Sequence, residues 1–257
     1  MPFGNRETFR AEVRSTPGCL IAMCGIDGSG KTLQCSALES RARAGGRRVE
    51  RIAFPRYDEG FFGKLVARYL RGEFALDPQG VSPYLAALPF ACDRWQAAPQ
   101  LRAWLEGGAV VICDRYVAAN LAHQGAKIER EEERLEFARW IEELEYDVFA
   151  LPRPDLQVLL DVPPPLAARL IAAKGERAYL ENGKDIHESS MPHLQATYEA
   201  YSRLAQGPGW VRIDCAPGGE VLPPEQIAQA VWDAVSPLLD AAGPSAAQER
   251  NRSEEIG

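Results

Sequence analysis

The sequence predicts an α/β domain built on a five-stranded parallel sheet with helices on both faces. Three observations carry that expectation. Short apolar runs alternate with longer stretches of helical periodicity along most of the chain, the pattern of a parallel sheet joined by helical crossovers. Two of those runs, Cys19–Cys24 and Ala109–Cys113, are apolar throughout rather than alternating, as strands buried on both faces are. The first run breaks at Gly25 into Gly25-Ile26-Asp27-Gly28-Ser29-Gly30-Lys31-Thr32, a glycine-rich turn between a strand and a helix.

The elements follow in order. After the first strand, Lys31 to Ala44 is helical and is stopped by Gly45-Gly46. Val49 to Phe54 is a short strand closed by Pro55, and Phe62 to Leu70 has the spacing of an amphipathic helix. Val81 to Glu106 contains long helical material ending at Gly107-Gly108, and Ala109 to Cys113 is the third strand. A helix follows Asp114-Arg115-Tyr116, and Ile128 to Glu145 is an acidic amphipathic helix. Leu156 to Leu160 is the fourth strand, and Pro163-Pro164-Pro165 opens a helix to about Ala173. Val211 to Ile213 is a fifth strand and Glu225 to Leu239 a final helix. Residues 18–240 form the domain, with a glycine-flanked basic segment at about 174–184 as a short lid or an ordinary solvated loop. Residues 1–17 are an extension and residues 241–257 have the small, polar composition of a disordered tail.

Composition narrows the function. A formal charge of −7 argues against a nucleic-acid polymer or an anionic membrane as partner. The six cysteines include no C-x-x-C pair, which suits reduced thiols in a cytoplasmic protein. No apolar run approaches membrane-spanning length, and the polar start Met1–Arg14 does not read as a signal peptide.

The turn at Gly25 matches G-x-x-x-x-G-K-T, the P-loop pattern, so the expected architecture is the P-loop NTPase fold. Glycines let the backbone wrap a polyphosphate so that successive N–H groups and the next helix start face the anion. The expected ATP-binding set is Gly25, Gly28, Ser29, Gly30, Lys31, Thr32 and Leu33. Lys31 would reach the β- and γ-phosphates, and the Thr32 hydroxyl would ligate Mg²⁺. The bland alternative is a strand-to-helix turn that happens to carry Lys-Thr. No N-K-x-D element for guanine recognition is present. The carboxyl ends of parallel strands gather ligand sites, which brings Phe54-Pro55-Arg56 and Asp114-Arg115-Tyr116 to the P-loop's rim. Asp114 suits a Walker-B-type metal role or an ordinary helix cap. Arg56, Arg94 and Arg115 are either phosphate and substrate cations or solvated surface charge.

Taken together the motifs resemble those of thymidylate kinases, the P-loop enzymes that phosphorylate dTMP. The likeness runs from about Cys19 to Cys215. It rests on the P-loop, Phe54-Pro55-Arg56, Leu88-Pro89-Phe90-Ala91-Cys92-Asp93-Arg94-Trp95, Asp114-Arg115-Tyr116, Gln124-Gly125-Ala126-Lys127, Leu151-Pro152-Arg153-Pro154-Asp155, and Glu176-Arg177 with Tyr179 and Glu181-Asn182-Gly183. The P-loop alone is shared by many activities; its ordered combination with F-P-R, F-x-x-x-R-W and D-R-Y is far more specific.

The resemblance implies that Phe90 stacks on thymine and that Arg94, one turn later, hydrogen-bonds its O4 edge. It implies further base contacts from Asn120 and Gln124, acceptor-phosphate contacts from Arg56 and Arg115, and closure of Tyr179 over the deoxyribose. Asp27 would hold the sugar 3′-hydroxyl or metal-bound water, and Thr32 and Asp114 would hold the metal. Arg169 would be a platform for adenine, bordered by the loop Cys215–Gly218. The P-loop's variable positions Ile26-Asp27-Gly28-Ser29 contain no base, so Lys174 and Arg177 of the lid are the expected supply of charge for the transferring phosphoryl group. Leu33 stands where many relatives carry a second hydroxyl, and His123 where many carry an aromatic ring. The implied activity is transfer of the γ-phosphoryl of ATP to dTMP with Mg²⁺ in a homodimer, the helices around Phe62–Leu70 and Leu85–Trp95 supplying the contact. The alternatives are a deoxynucleoside kinase acting on a 5′-hydroxyl, or a catalytically silent nucleotide-binding regulatory protein.

Overall fold

A computed structural model describes residues 17–74, 81–174 and 191–241. The five strands, β1 (Cys19–Cys24), β2 (Val49–Ala53), β3 (Val110–Asp114), β4 (Leu156–Asp161) and β5 (Trp210–Asp214), form one parallel sheet in the order β2-β3-β1-β4-β5. All six residues of β1 are buried, which is why that run carries no polar alternation. The helices are α1 (Lys31–Ala44), α2 (Gly60–Leu70), α3 (Pro83–Glu106), α4 (Val117–His123), α5 (Glu131–Glu142), α6 (Pro164–Lys174), α7 (Met191–Leu204) and α8 (Pro224–Ala241).

The chain leaves β1 toward β2 and then works back across the sheet to β5. Right-handed crossovers in opposite directions place their helices on opposite faces. So α1, joined by α8, covers one face, and α2 through α7 cover the other. The direction of winding reverses between β1 and β3, and ligand crevices form at such switch points. The two strand ends there carry the P-loop and Asp114-Arg115-Tyr116.

Two local features depart from the sequence expectation, and the long helical material expected within Val81–Glu106 is present as α3. The stretch Ile128–Glu145 is not one helix: α5 covers Glu131–Glu142 and passes into a π-helical turn, Glu143–Val148. The helix α7 falls in a region where no element was expected. Pro89 and Pro99 sit inside α3, which runs unbroken through both. The extension at 1–16, the tail at 242–257 and most of the 174–184 segment lie outside the described residues.

Candidate active site

The P-loop hangs from the most buried strand. Gly30 takes a left-handed conformation (φ 86°) at the start of α1, and no side chain caps that helix, so its first N–H groups face outward to an anion. Lys31 is folded back onto the loop. Its Nζ donates to the carbonyls of Gly25 (3.0 Å) and Ile26 (2.8 Å) and approaches Ser29 Oγ at 3.5 Å. The ammonium thus rests on dipoles at the place where a phosphate's negative oxygens belong. Cys24, beneath it, has its thiol pushed up to about 12, by burial above all, which keeps it neutral and unsuited to nucleophilic work.

Thr32 Oγ1 donates to Asp114 Oδ2 at 2.6 Å. Asp114 therefore does not cap the following helix: α4 begins after Tyr116 without a side-chain cap. A hydroxyl and a carboxylate in contact beside a phosphate loop are the hard oxygen donors that Mg²⁺ accepts alongside water and phosphate, so these residues fit the ion.

At the next position Arg115 adopts a left-handed backbone (φ 67°), an uncommon conformation for a side chain of this size. Its guanidinium pairs with Asp27 through Nη2 and meets His123 Nε2 through Nη1 at 2.9 Å. Burial opposes the charge, yet the carboxylates of Asp27 and Asp114 hold its pKa above the ordinary guanidinium value. Tyr116 anchors this strand end by donating to the Pro152 carbonyl at 3.0 Å.

Asp27, Arg115 and His123 form one side of a pocket whose other walls are Phe54, Pro55 and Tyr57 after β2, Phe90 and Arg94 on α3, and Asn120 and Gln124 at α4. Phe90 is half-buried, set edge-on to Tyr69 with centroids 6.1 Å apart, and it borders the pocket rather than disappearing into the core. Arg94 is buried and tied to Glu145 of the π turn, Nε to Oε2 at 2.5 Å and Nη2 to Oε1 at 2.7 Å. Asn120 joins the same carboxylate at 2.9 Å. The buried Gln124 has its Oε1 without a hydrogen-bond partner among the described residues, the kind of orphan a polar ligand satisfies.

Arg56 does not line the pocket directly. Asp93, fully buried, holds it at three points: backbone N to Oδ2 (2.9 Å), Nε to Oδ1 (3.0 Å) and Nη2 to the Asp93 carbonyl (3.0 Å). Arg169 is exposed on α6, Leu33 is exposed beside the P-loop, and Lys174 is the last residue of α6. Arg177 and Tyr179 lie outside the described residues.

Against this geometry, a family model for thymidylate kinase matches residues 24–222. The chain belongs to the thymidylate kinase family. It is 36% identical over 191 residues to the thymidylate kinase of Mycobacterium tuberculosis (strain ATCC 25618 / H37Rv), covering 74% of this chain and 87% of that one. With the thymidylate kinase of Thermomicrobium roseum it shares 31% over 222 residues, 85% and 95% of the two chains. The solved thymidylate kinase of Candida albicans matches in fold, with a TM-score of 0.66 at 23% identity over 87% of this chain and 93% of that one.

Several residues at this thymidylate kinase site were not singled out from sequence. Asp93 and Glu145 position the two arginines. A stripe on α7, His193, Thr197 and Tyr201, packs behind Arg115 and His123. The signals were present: Phe137, Ile141 and Glu145 fall four apart, and so do His193, Thr197 and Tyr201. A polar residue continuing an apolar helical stripe is a candidate for buried polar work.

Proposed function

We propose that the protein transfers the γ-phosphoryl group of ATP to dTMP, giving dTDP and ADP, with Mg²⁺. One observation carries the reading: a pocket lined by an aromatic ring, an arginine and two amides opens beside the P-loop at the sheet's switch point, with Arg115 at their junction. The donor's phosphates lie on the P-loop N–H groups and draw Lys31 off its carbonyls. Thr32 and Asp114 would hold Mg²⁺, which would supply positive charge beside the donor's phosphates. Arg115 and Arg56 orient the acceptor phosphate, whose oxygen attacks in line, and Phe90 stacks on the base. An ionised acceptor needs positioning and charge neutralisation rather than a base.

That point separates this reading from a nucleoside kinase. A 5′-hydroxyl acceptor calls for a carboxylate free to take its proton, whereas Asp27 is engaged by Arg115. The exposed apolar side chains of Phe61 on α2 and Leu85 and Trp95 on α3 support a homodimer through those helices. Six free cysteines, five of them buried, support a cytoplasmic location.

The deciding experiment is coupled ADP release with dTMP, thymidine, dUMP and dCMP in the presence of ATP and Mg²⁺. The expected result is turnover of dTMP far ahead of thymidine. Equal rates with thymidine would move the assignment to a nucleoside kinase, and no turnover with any acceptor would favour a regulatory role.

A further inference from the structure

Glu145 ends the buried stripe Phe137, Ile141, Glu145 and sits on the π turn. π turns re-aim side chains and recur at functional sites. Both oxygens of its carboxylate are engaged. Oε2 accepts from Arg94 Nε, and Oε1 accepts from both Arg94 Nη2 and Asn120 Nδ2. Asn120 Nδ2 also donates to the Ala87 carbonyl at 3.2 Å. A carboxylate and a carbonyl can only accept, so the nitrogen end of the Asn120 amide must be the end that faces them. Both of its N–H bonds are consumed, and Oδ1 is left as an acceptor. Arg94 is fixed in the same way: Nε and Nη2 are used, and Nη1 keeps its donors, with no partner among the described residues.

Arg94 and Asn120 are neighbours through the shared Oε1, and both line the pocket. The wall therefore offers a donor next to an acceptor. That pair complements a ring edge with a carbonyl beside an N–H, as O4 and N3–H are in thymine and uracil. Cytosine presents the reverse, an amino group beside a bare nitrogen, and would set donor against donor and acceptor against acceptor. Arg94 cannot reverse its polarity, because a guanidinium has no acceptor. Asn120 can, by turning its amide over. Glu145 and the Ala87 carbonyl together prevent this, Glu145 through the shorter and charged of the two bonds.

We propose that Glu145 is a positioning residue that sets base preference, locking the Asn120 amide oxygen-outward and the Arg94 plane beside it so that the pocket takes 4-oxo pyrimidine monophosphates and rejects 4-amino ones. The inference rests on the dTMP reading above and deepens it. In Glu145→Gln a single amide cannot accept from every donor now facing it, and only the longer bond to the Ala87 carbonyl is left to keep Asn120 from turning.

The test is kcat/KM for dTMP, dUMP and dCMP in the wild type and in Glu145→Gln. The wild type must first turn over dTMP; if it does not, the functional reading fails and not this inference. The expected result is a dTMP-to-dCMP ratio at least about tenfold smaller in the variant, since a buried donor mismatch is worth roughly ten- to a hundredfold. The dTMP-to-dUMP ratio should stay unchanged, because the two bases share this edge. General damage would lower all three rates together, and unchanged ratios would overturn the proposal. Should the variant fail to fold, the wild type still decides: the ¹⁵N side-chain amide signals of Asn120, assigned with Asn120→Ser, should exchange slowly and move little on dTMP addition. Rapid exchange without ligand, or a large shift as the NH₂ takes up the base, would show that Glu145 does not hold the amide.

Discussion

Lys31 and His193 mark two uses of a buried titratable side chain. The Lys31 ammonium is satisfied by loop carbonyls, so it shapes the loop as well as serving the charge-neutralising role proposed for it. Lys31→Ala should lower kcat by at least about a hundredfold, the scale seen when one charge-stabilising donor is removed. A rate within tenfold of wild type would show that another cation does this work. His193 is held neutral: burial first, then the Lys127 charge, brings its pKa down from 6.5 to about 4, against a smaller pull from Asp27. The unfolded chain therefore takes the proton first as pH falls below about 6.5. Stability should decline between about pH 6.5 and 4, by at most about 3 kcal/mol from this group, with nothing lost above that window. Urea unfolding at pH 7 and pH 4.5 should show that decline, and His193→Gln should flatten it. An equal acid loss in the variant would assign the effect to other groups.

At the scale of elements, the P-loop is clasped as well as suspended. Gly28 has φ 81°, and a β-carbon there would stand 2.4 Å from the carbonyl of Ala167 on α6. Gly28→Ala should destabilise the fold by about 1–3 kcal/mol through strain and overpacking and raise the KM for ATP more than that for dTMP. A variant of wild-type stability in urea would mean that α6 yields easily. The contrast between β1 and α7 shows what sequence could and could not convey. Strands buried on both faces announce themselves as unbroken apolar runs, and the P-loop, F-P-R and D-R-Y motifs sit at their ends, so the sheet and half the site could be read directly. Helix α7 mixes His193, Thr197 and Tyr201 into its inward stripe, which reads as polar surface until the groups it packs against are known. Glu145 was obscured in a similar way: its place on the Phe137 and Ile141 stripe marks it for burial, yet it stands in a run of acids from Glu131 to Glu145 that reads as solvated surface. Its identity depends on Arg94, some fifty residues away in sequence, and long-range pairing of that kind has no periodicity to betray it.

For the molecule as a whole, the site is an assembly of strand ends and of α3, α4 and α7, which the chain brings together only when the sheet is complete. Ligand binding should therefore be felt as global stability. At dTMP about a hundredfold above its Kd the linkage is worth about 2.7 kcal/mol. For a domain of this size that corresponds to a Tm rise of roughly 5–10 °C. Arg115→Ala should remove most of the shift at the same dTMP concentration while leaving the shift with ATP and Mg²⁺ largely in place. If dTMP still raises the variant's Tm fully, the acceptor phosphate is held elsewhere, and Arg56 on its Asp93 mount is the next residue to test.

The central position of β1 has a kinetic corollary. Its amides are sealed between β3 and β4, with every side chain buried, so in hydrogen exchange they should open only with global unfolding, whereas the edge strands β2 and β5 give way at lower energies. The phosphate-binding turn is thus bolted to the last part of the protein to come undone. Whatever breathing the molecule does, the ruler against which both phosphates are measured stays still.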